Sequence, residues 1–131
     1  MRYPYFLSLF FLLTLLLGSC KKDDTASLPD GFIGHTWLHA YEEDQGDVRV
    51  YRPETYAFPP SRGRTGFSCD SDGVFTQLSI APIDGIGSQK GKWTIFSDNT
   101  LLVSFDGQKD VNYKLHIISL KNDVLEVRYL Y

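Results

Sequence analysis

Val111-Asn112-Tyr113-Lys114-Leu115-His116-Ile117, then a Lys121-Asn122-Asp123 turn, then Val124-Leu125-Glu126-Val127-Arg128-Tyr129 decide the fold of this chain. Val111, Tyr113, Leu115 and Ile117 alternate with Asn112, Lys114 and His116, and Leu125, Val127 and Tyr129 alternate with Glu126 and Arg128. A period of two places one set of side chains on each face of a strand, so each run reads as a half-buried β-strand. Asn and Asp tolerate the positive φ that a tight hairpin needs, so the two runs pair through the turn between them.

The same alternation spreads outward. Leu101, Val103 and Phe105 share one face of the preceding run, and Trp37, His39 and Tyr41 share a face of a much earlier one. Ser71-Asp72-Gly73, Ser97-Asp98-Asn99 and Asp106-Gly107 supply further turns. No segment after Phe32 keeps an apolar period of 3.6. Strands are predicted at 35–43, 48–52, 65–70, 73–80, 91–97, 100–106, 111–120 and 123–130, the last four as successive hairpins. About seven or eight short antiparallel strands at this spacing mean an all-β barrel or sandwich. An aromatic content of 15% agrees with this, because Phe, Tyr and Trp favour strands and bury large areas.

The first residues have a different character. Arg2 precedes the apolar run 5–17, which is too short to span a bilayer and ends in Leu17-Gly18-Ser19-Cys20. That ending resembles the lipobox of bacterial lipoproteins. The resemblance implies a signal peptide over 1–19, cleavage before Cys20, and lipidation of Cys20, with diacylglycerol and a palmitate-type chain giving stable attachment. Lys21-Lys22-Asp23-Asp24 resembles the tether of surface-displayed lipoproteins of the Bacteroidota, and 20–31 read as a flexible tether ending in the Leu28-Pro29-Asp30-Gly31 turn. The implied place is the cell envelope, as an outer-membrane lipoprotein.

Within 32–131, Gly34-His35-Thr36-Trp37, Asp72-Gly73-Val74-Phe75, Gly91-Lys92-Trp93 and Tyr113 to Leu120 with Asp123-Val124-Leu125 resemble lipocalin-like domains of such lipoproteins. The first motif has two residues between Gly and Trp where the family has one. The resemblance implies a small up-and-down barrel with a closed or narrow interior. It does not name a ligand.

Charge and motifs narrow the function. The whole chain carries −3, and loss of Arg2 with the leader makes the mature chain more negative still, so nothing draws it as a whole to nucleic acid or anionic lipid. Cys69 is the only thiol left after the anchor, which excludes an internal disulfide; it reads as a small buried hydrophobe. Gly87-Ser88-Gln89-Lys90-Gly91-Lys92 falls short of a P-loop and reads as a Gly-rich loop. Asp70-Ser71-Asp72-Gly73 lacks the rest of a calcium loop. His35 and His39 stand about 13 Å apart along a strand and cannot share a metal. No catalytic motif, metal site or cofactor is called for.

One stretch is unusual. Tyr51-Arg52-Pro53-Glu54-Thr55-Tyr56-Ala57-Phe58-Pro59-Pro60-Ser61-Arg62-Gly63-Arg64 holds three arginines and three of the six prolines among aromatics. Arg52, Arg62, Arg64 and Glu54 are the candidate binding or structural residues. Either the arginines brace a rigid loop against Glu42, Glu43 or Glu54, or Arg62 and Arg64 leave an extended segment on one side and grip an anion together. Trp93 is expected in the core. The expected function is a monomeric, non-enzymatic, membrane-anchored module binding a small ligand or envelope protein. The alternative is an inhibitor that blocks a hydrolase through its barrel loops.

Overall fold

The computed structural model describes residues 26–81, 85–107 and 112–131, and Cys20, expected from the sequence to carry the lipid, lies outside them. Eight strands form a closed antiparallel barrel: β1 (Thr36–His39), β2 (Arg49–Pro53), β3 (Gly66–Cys69), β4 (Val74–Ala81), β5 (Gly85–Ser97), β6 (Thr100–Phe105), β7 (Tyr113–Lys121) and β8 (Val124–Leu130). The all-β fold expected from alternation is therefore present, as a barrel rather than a sandwich.

The turns form where the sequence places them. Lys121 and Val124 face each other across Asn122 and Asp123, both at positive φ (52° and 59°), which is the two-residue hairpin geometry those residues favour. Gly91 is required for another reason. A Cβ there would overlap the Ser104 carbonyl oxygen, so β5 and β6 close only over a glycine.

β3 to β8 follow one another around the barrel, but β1 and β2 exchange places. β1 lies between β2 and β3, and β2 closes the ring on β8 through Arg49↔Val127 and Tyr51↔Leu125. The strict up-and-down order implied by the lipocalin resemblance therefore does not hold. β2 and β3 run parallel on either side of β1, so the link between them must cross it. That link, residues 54–65, begins where Glu54 N–H donates to Thr36 O and ends where His39 N–H donates to Thr65 O.

Side chains that alternate inward fill the barrel. Phe32, Trp37, Phe67, Phe75, Leu101, Val103, Leu115, Ile117, Leu125 and Val127 are buried. Phe67 stacks on Phe75 at 5.6 Å and meets Tyr51 at 5.0 Å, and Phe75 meets Phe105 at 6.0 Å. These offset and edge contacts occupy the space a central ligand would need. With apolar residues inward and lysines outward, the barrel has the opposite polarity to one that spans a membrane. No helix among the described residues is long and apolar enough to cross one either.

The end of the barrel where β1 starts, here the lower end, is plugged by Phe32, whose carbonyl accepts a bond from Trp37 Nε1 at 3.0 Å. Leu28 packs on the same core. Ser27 O accepts from Asn99 N–H at 3.0 Å and Ser27 N–H donates to Asp98. Residues 27–31, read from sequence as tether, thus lie against the barrel.

Three local expectations differ. The strand of Trp37 ends at His39, and Tyr41 begins a 3-10 turn, Tyr41–Glu43. Residues 87–92, read as a Gly-rich loop, lie within β5, whose upper part, 85–90, pairs with β4 through Ile80↔Ile86, Leu78↔Ser88 and Gln77↔Gln89. Trp93 is only partly buried at the edge of the core, its Nε1 donating to Asp70 O at 2.9 Å. Trp37, 2% exposed, is the core tryptophan.

Candidate functional site

The sequence placed its candidate residues on the 52–64 stretch, and the geometry there is a clamp. The 3-10 turn presents consecutive carboxylates outward, and the arginines come to them from two directions. Arg64 Nη1 and Nη2 donate to the two oxygens of Glu42 at 2.9 and 2.6 Å. The same guanidinium donates to His39 O at 2.9 Å and Pro59 O at 3.0 Å. Its planar faces lie over Tyr41 at 4.8 Å and Phe58 at 4.6 Å. With all four Nη donors used and aromatic rings packed on it, Arg64 keeps no pair of donors with which to grip an external anion.

Arg52 repeats the pattern on β2. Its Nε and Nη2 bond both oxygens of Glu43, at 2.9 and 2.6 Å, and it stacks over Tyr56 at 4.5 Å. Asp44 accepts from His39 Nε2 at 2.8 Å, Arg49 Nη1 at 3.0 Å and Val50 N–H at 2.8 Å. Asp47 pairs with Arg128 at 2.7 Å. Each acid of the 42–47 turn therefore has its own cation, and Arg64 and Arg52 tie the crossing link to that turn. The paired guanidiniums favour the carboxylate forms: Arg64 draws Glu42 from 4.5 down to about 2, and Arg52 lowers Glu43.

Arg62 and Glu54 do not take part. Both are exposed, and neither has a side-chain ion pair among the described residues. Gly63 sits at φ 141°, so the backbone is not evenly extended between Arg62 and Arg64. One arginine turns out to water while the other, 6% exposed, turns in. The shared anion grip is thereby excluded. Of the three acids the sequence offered as partners, Glu42 and Glu43 take the role and Glu54 does not, because only the first two stand on the turn that aims them.

Elsewhere the chemistry is sparse. Cys69 is buried, and burial pushes its thiol well above the usual range, which disfavours the thiolate. Thr100 and His116 face each other across β6 and β7 with Oγ1 and Nδ1 2.8 Å apart, an arrangement the sequence reading did not anticipate. Thr100 is buried and its hydroxyl also donates to Asp98 O, so the pair fastens two strands. Among the described residues no cluster of three His, Cys, Asp or Glu could hold a metal. A cavity of roughly 390 Å³ opens on the lower rim, lined by Asp30, His35, Trp37, Pro53, Leu120 and Asp123 among others.

At the upper end β4 and β5 outrun their neighbours. β3 pairs with β4 only as far as Leu78, and β6 with β5 only as far as Gly91. Residues 79–81 and 85–90 thus make a two-stranded ribbon that rises beyond the barrel. It carries Ile80, 55% exposed, opposite Ile86, 61% exposed.

Fold and clamp together define a small aromatic-cored antiparallel barrel with an arginine-braced crossover. Comparison with known proteins finds no matching family model, curated protein or solved structure.

Proposed function

We propose that this chain is a lipid-anchored envelope lipoprotein, attached through Cys20, whose barrel binds a partner protein through its outer surface rather than a small ligand inside. The observation that carries the reading is the ribbon of β4 and β5 with its exposed Ile80 and Ile86 pair. Unpaired ribbon edges offer backbone donors and acceptors for strand addition, and the isoleucines offer an apolar contact. A barrel interior packed with rings supports a surface over a calyx as the place of binding. The resemblance of Leu17-Gly18-Ser19-Cys20 to a lipobox supports the anchor.

A hydrolase is one partner of suitable shape, since a two-stranded ribbon is narrow enough to enter a cleft. This inhibitor reading rests on the same ribbon. A photo-crosslinking amino acid in place of Ile86, in cells making the full chain, should give one discrete protein adduct that Ile80→Arg abolishes. An unchanged adduct, or none, overturns the assignment to the ribbon, and the adduct's identity separates a hydrolase from other partners. Cys20→Ala should abolish incorporation of a palmitate analogue; equal labelling of both chains would refute the anchor.

A further inference from the structure

The outward side chains of β5, β6 and β7 differ from the rest of the molecule. Gly91, Trp93 and Ile95 register against Phe105, Val103 and Leu101 on the core side, so Ile86, Ser88, Lys90, Lys92 and Thr94 face out. Leu102 and Ser104 on β6, and Lys114, His116 and Ile118 on β7, face the same way. These strands thus present three lysines and a histidine with no carboxylate, on a chain whose net charge is −3. The acids nearest it lie off these three strands: Asp70, Asp72, Asp98 and Asp123 in lower-rim turns, and Glu126 on β8, which accepts a bond from Ser119.

Apolar residues sit on the lower part of it. The pairing shifts between Ile95 and Ser97, and Phe96 at that irregularity is 56% exposed. Lys114 Nζ lies 4.0 Å from the Phe96 ring centre, which fixes the ring on the outer side. Ile118 on β7 is exposed, and Leu102 on β6 is half-buried on the same face. A ring and branched aliphatics beside lysines suit the boundary between headgroups and acyl chains, where apolar groups insert and cations meet lipid phosphates.

The path of the chain says what covers this face. Ser27 is fastened to Asp98 and Asn99, in the turn directly after Phe96 and Ser97. Cys20 stands seven residues earlier. Even fully extended, seven residues reach no more than about 25 Å, less than the thickness of a bilayer's hydrocarbon core. A lipid on Cys20 therefore holds the Phe96 corner close to the membrane surface, and Lys21 and Lys22 lie between.

We infer that the outer face of β5, β6 and β7 docks on the anionic lipid surface that carries the anchor, with Phe96 and Ile118 at the boundary and Lys92 and Lys114 on headgroup phosphates. The inference rests on the Cys20 anchor. It leaves the ribbon tip and the clamp at the far end of the barrel.

The experiment uses the full acylated chain in vesicles of phosphatidylethanolamine and phosphatidylglycerol. Phe96→Cys, Ile118→Cys and, as the distant control, Ile86→Cys each receive an environment-sensitive fluorophore. Cys69 is buried and Cys20 acylated, so only the introduced thiol reacts. Nitroxide-bearing lipids should quench the probes at 96 and 118 strongly and the probe at 86 weakly, and Lys92→Glu with Lys114→Glu should reduce the quenching. If the chain floats with the vesicles while 96 and 118 are quenched no more than 86, the docking is wrong and the anchor stands. If the acylated chain does not float, both fall.

Discussion

Arg64 shows how much one side chain can fasten. Its guanidinium joins the crossing link, the end of β1 and the 3-10 turn in four hydrogen bonds between two rings. Lysine keeps the charge but loses the planar fork and the stacking. Arg64→Lys should therefore lower stability by about 1–3 kcal/mol, while the exposed Arg62→Lys should change it by less than about 0.5 kcal/mol. Urea midpoints of the two variants check this, and equal midpoints would refute the strut. Glu42 adds a pH signature. Its carboxyl is lowered in the folded chain, so its contribution is complete above its ordinary value of 4.5 and is lost as pH falls toward about 2. Glu42→Gln should flatten the stability profile between those limits and leave other parts of it unaltered in shape. The existence of arginine–carboxylate struts was legible in the sequence, because three arginines stand near an acidic run. Their pairing was not, since it depends on φ at Gly63 and on where β1 stops. Trp93 was misjudged for a similar reason: alternation gives the face a residue takes, but not how near the barrel's edge it lies. Trp37→Ala should cost about 3–5 kcal/mol as a buried ring, and Trp93→Ala distinctly less. Reversal of that order in chemical denaturation would show that the core is centred elsewhere.

At the scale of elements, the hairpins of β5 to β8 could be read directly. Their turn residues and alternation agree with each other and with the sheet, which is the consistency that makes a local signal reliable. The lower half of β5 was visible and the upper half was not. Gly85, Gly87 and Gly91 are poor strand formers, and the upper ribbon has no buried face to impose alternation. Gly91 itself sits where a side chain has no room. Gly91→Ala should separate β5 from β6 and destabilise the barrel by more than about 2 kcal/mol. Gly87 is less crowded: a Cβ there first meets the Ser79 hydroxyl, at 3.2 Å, and not a backbone atom. Gly87→Ala should be tolerated, with a thermal midpoint near that of the unaltered chain. A shift at Gly87 equal to that at Gly91 would mean that the ribbon is packed as tightly as the wall.

For the whole molecule, the exchange of β1 and β2 separates local from distant pairing. β3 through β8 pair with their neighbours in sequence, so each hairpin needs only a short loop to close. The ring is completed by β2 on β8, and the Tyr51 and Tyr129 hydroxyls, 2.6 Å apart, join residues 78 positions apart. Alternation cannot reveal such an exchange, because β1 and β2 show the same pattern in either order. Its trace in the sequence was the proline-rich link that has to cross β1. Closing a long loop costs entropy before any contact rewards it, so distant pairings tend to form after local ones. Folding should therefore begin in β5 to β8 and end with closure by β2. Leu115→Ala, in the meander, should slow refolding by a large share of its total stability loss. Tyr51→Phe removes the hydroxyl bond across the closure and should act almost wholly by speeding unfolding. Stopped-flow refolding and unfolding of both variants, at stability losses above about 0.6 kcal/mol, give the two ratios. A high ratio for Tyr51 with a low one for Leu115 would mean that the ring closes first and the meander is laid onto it.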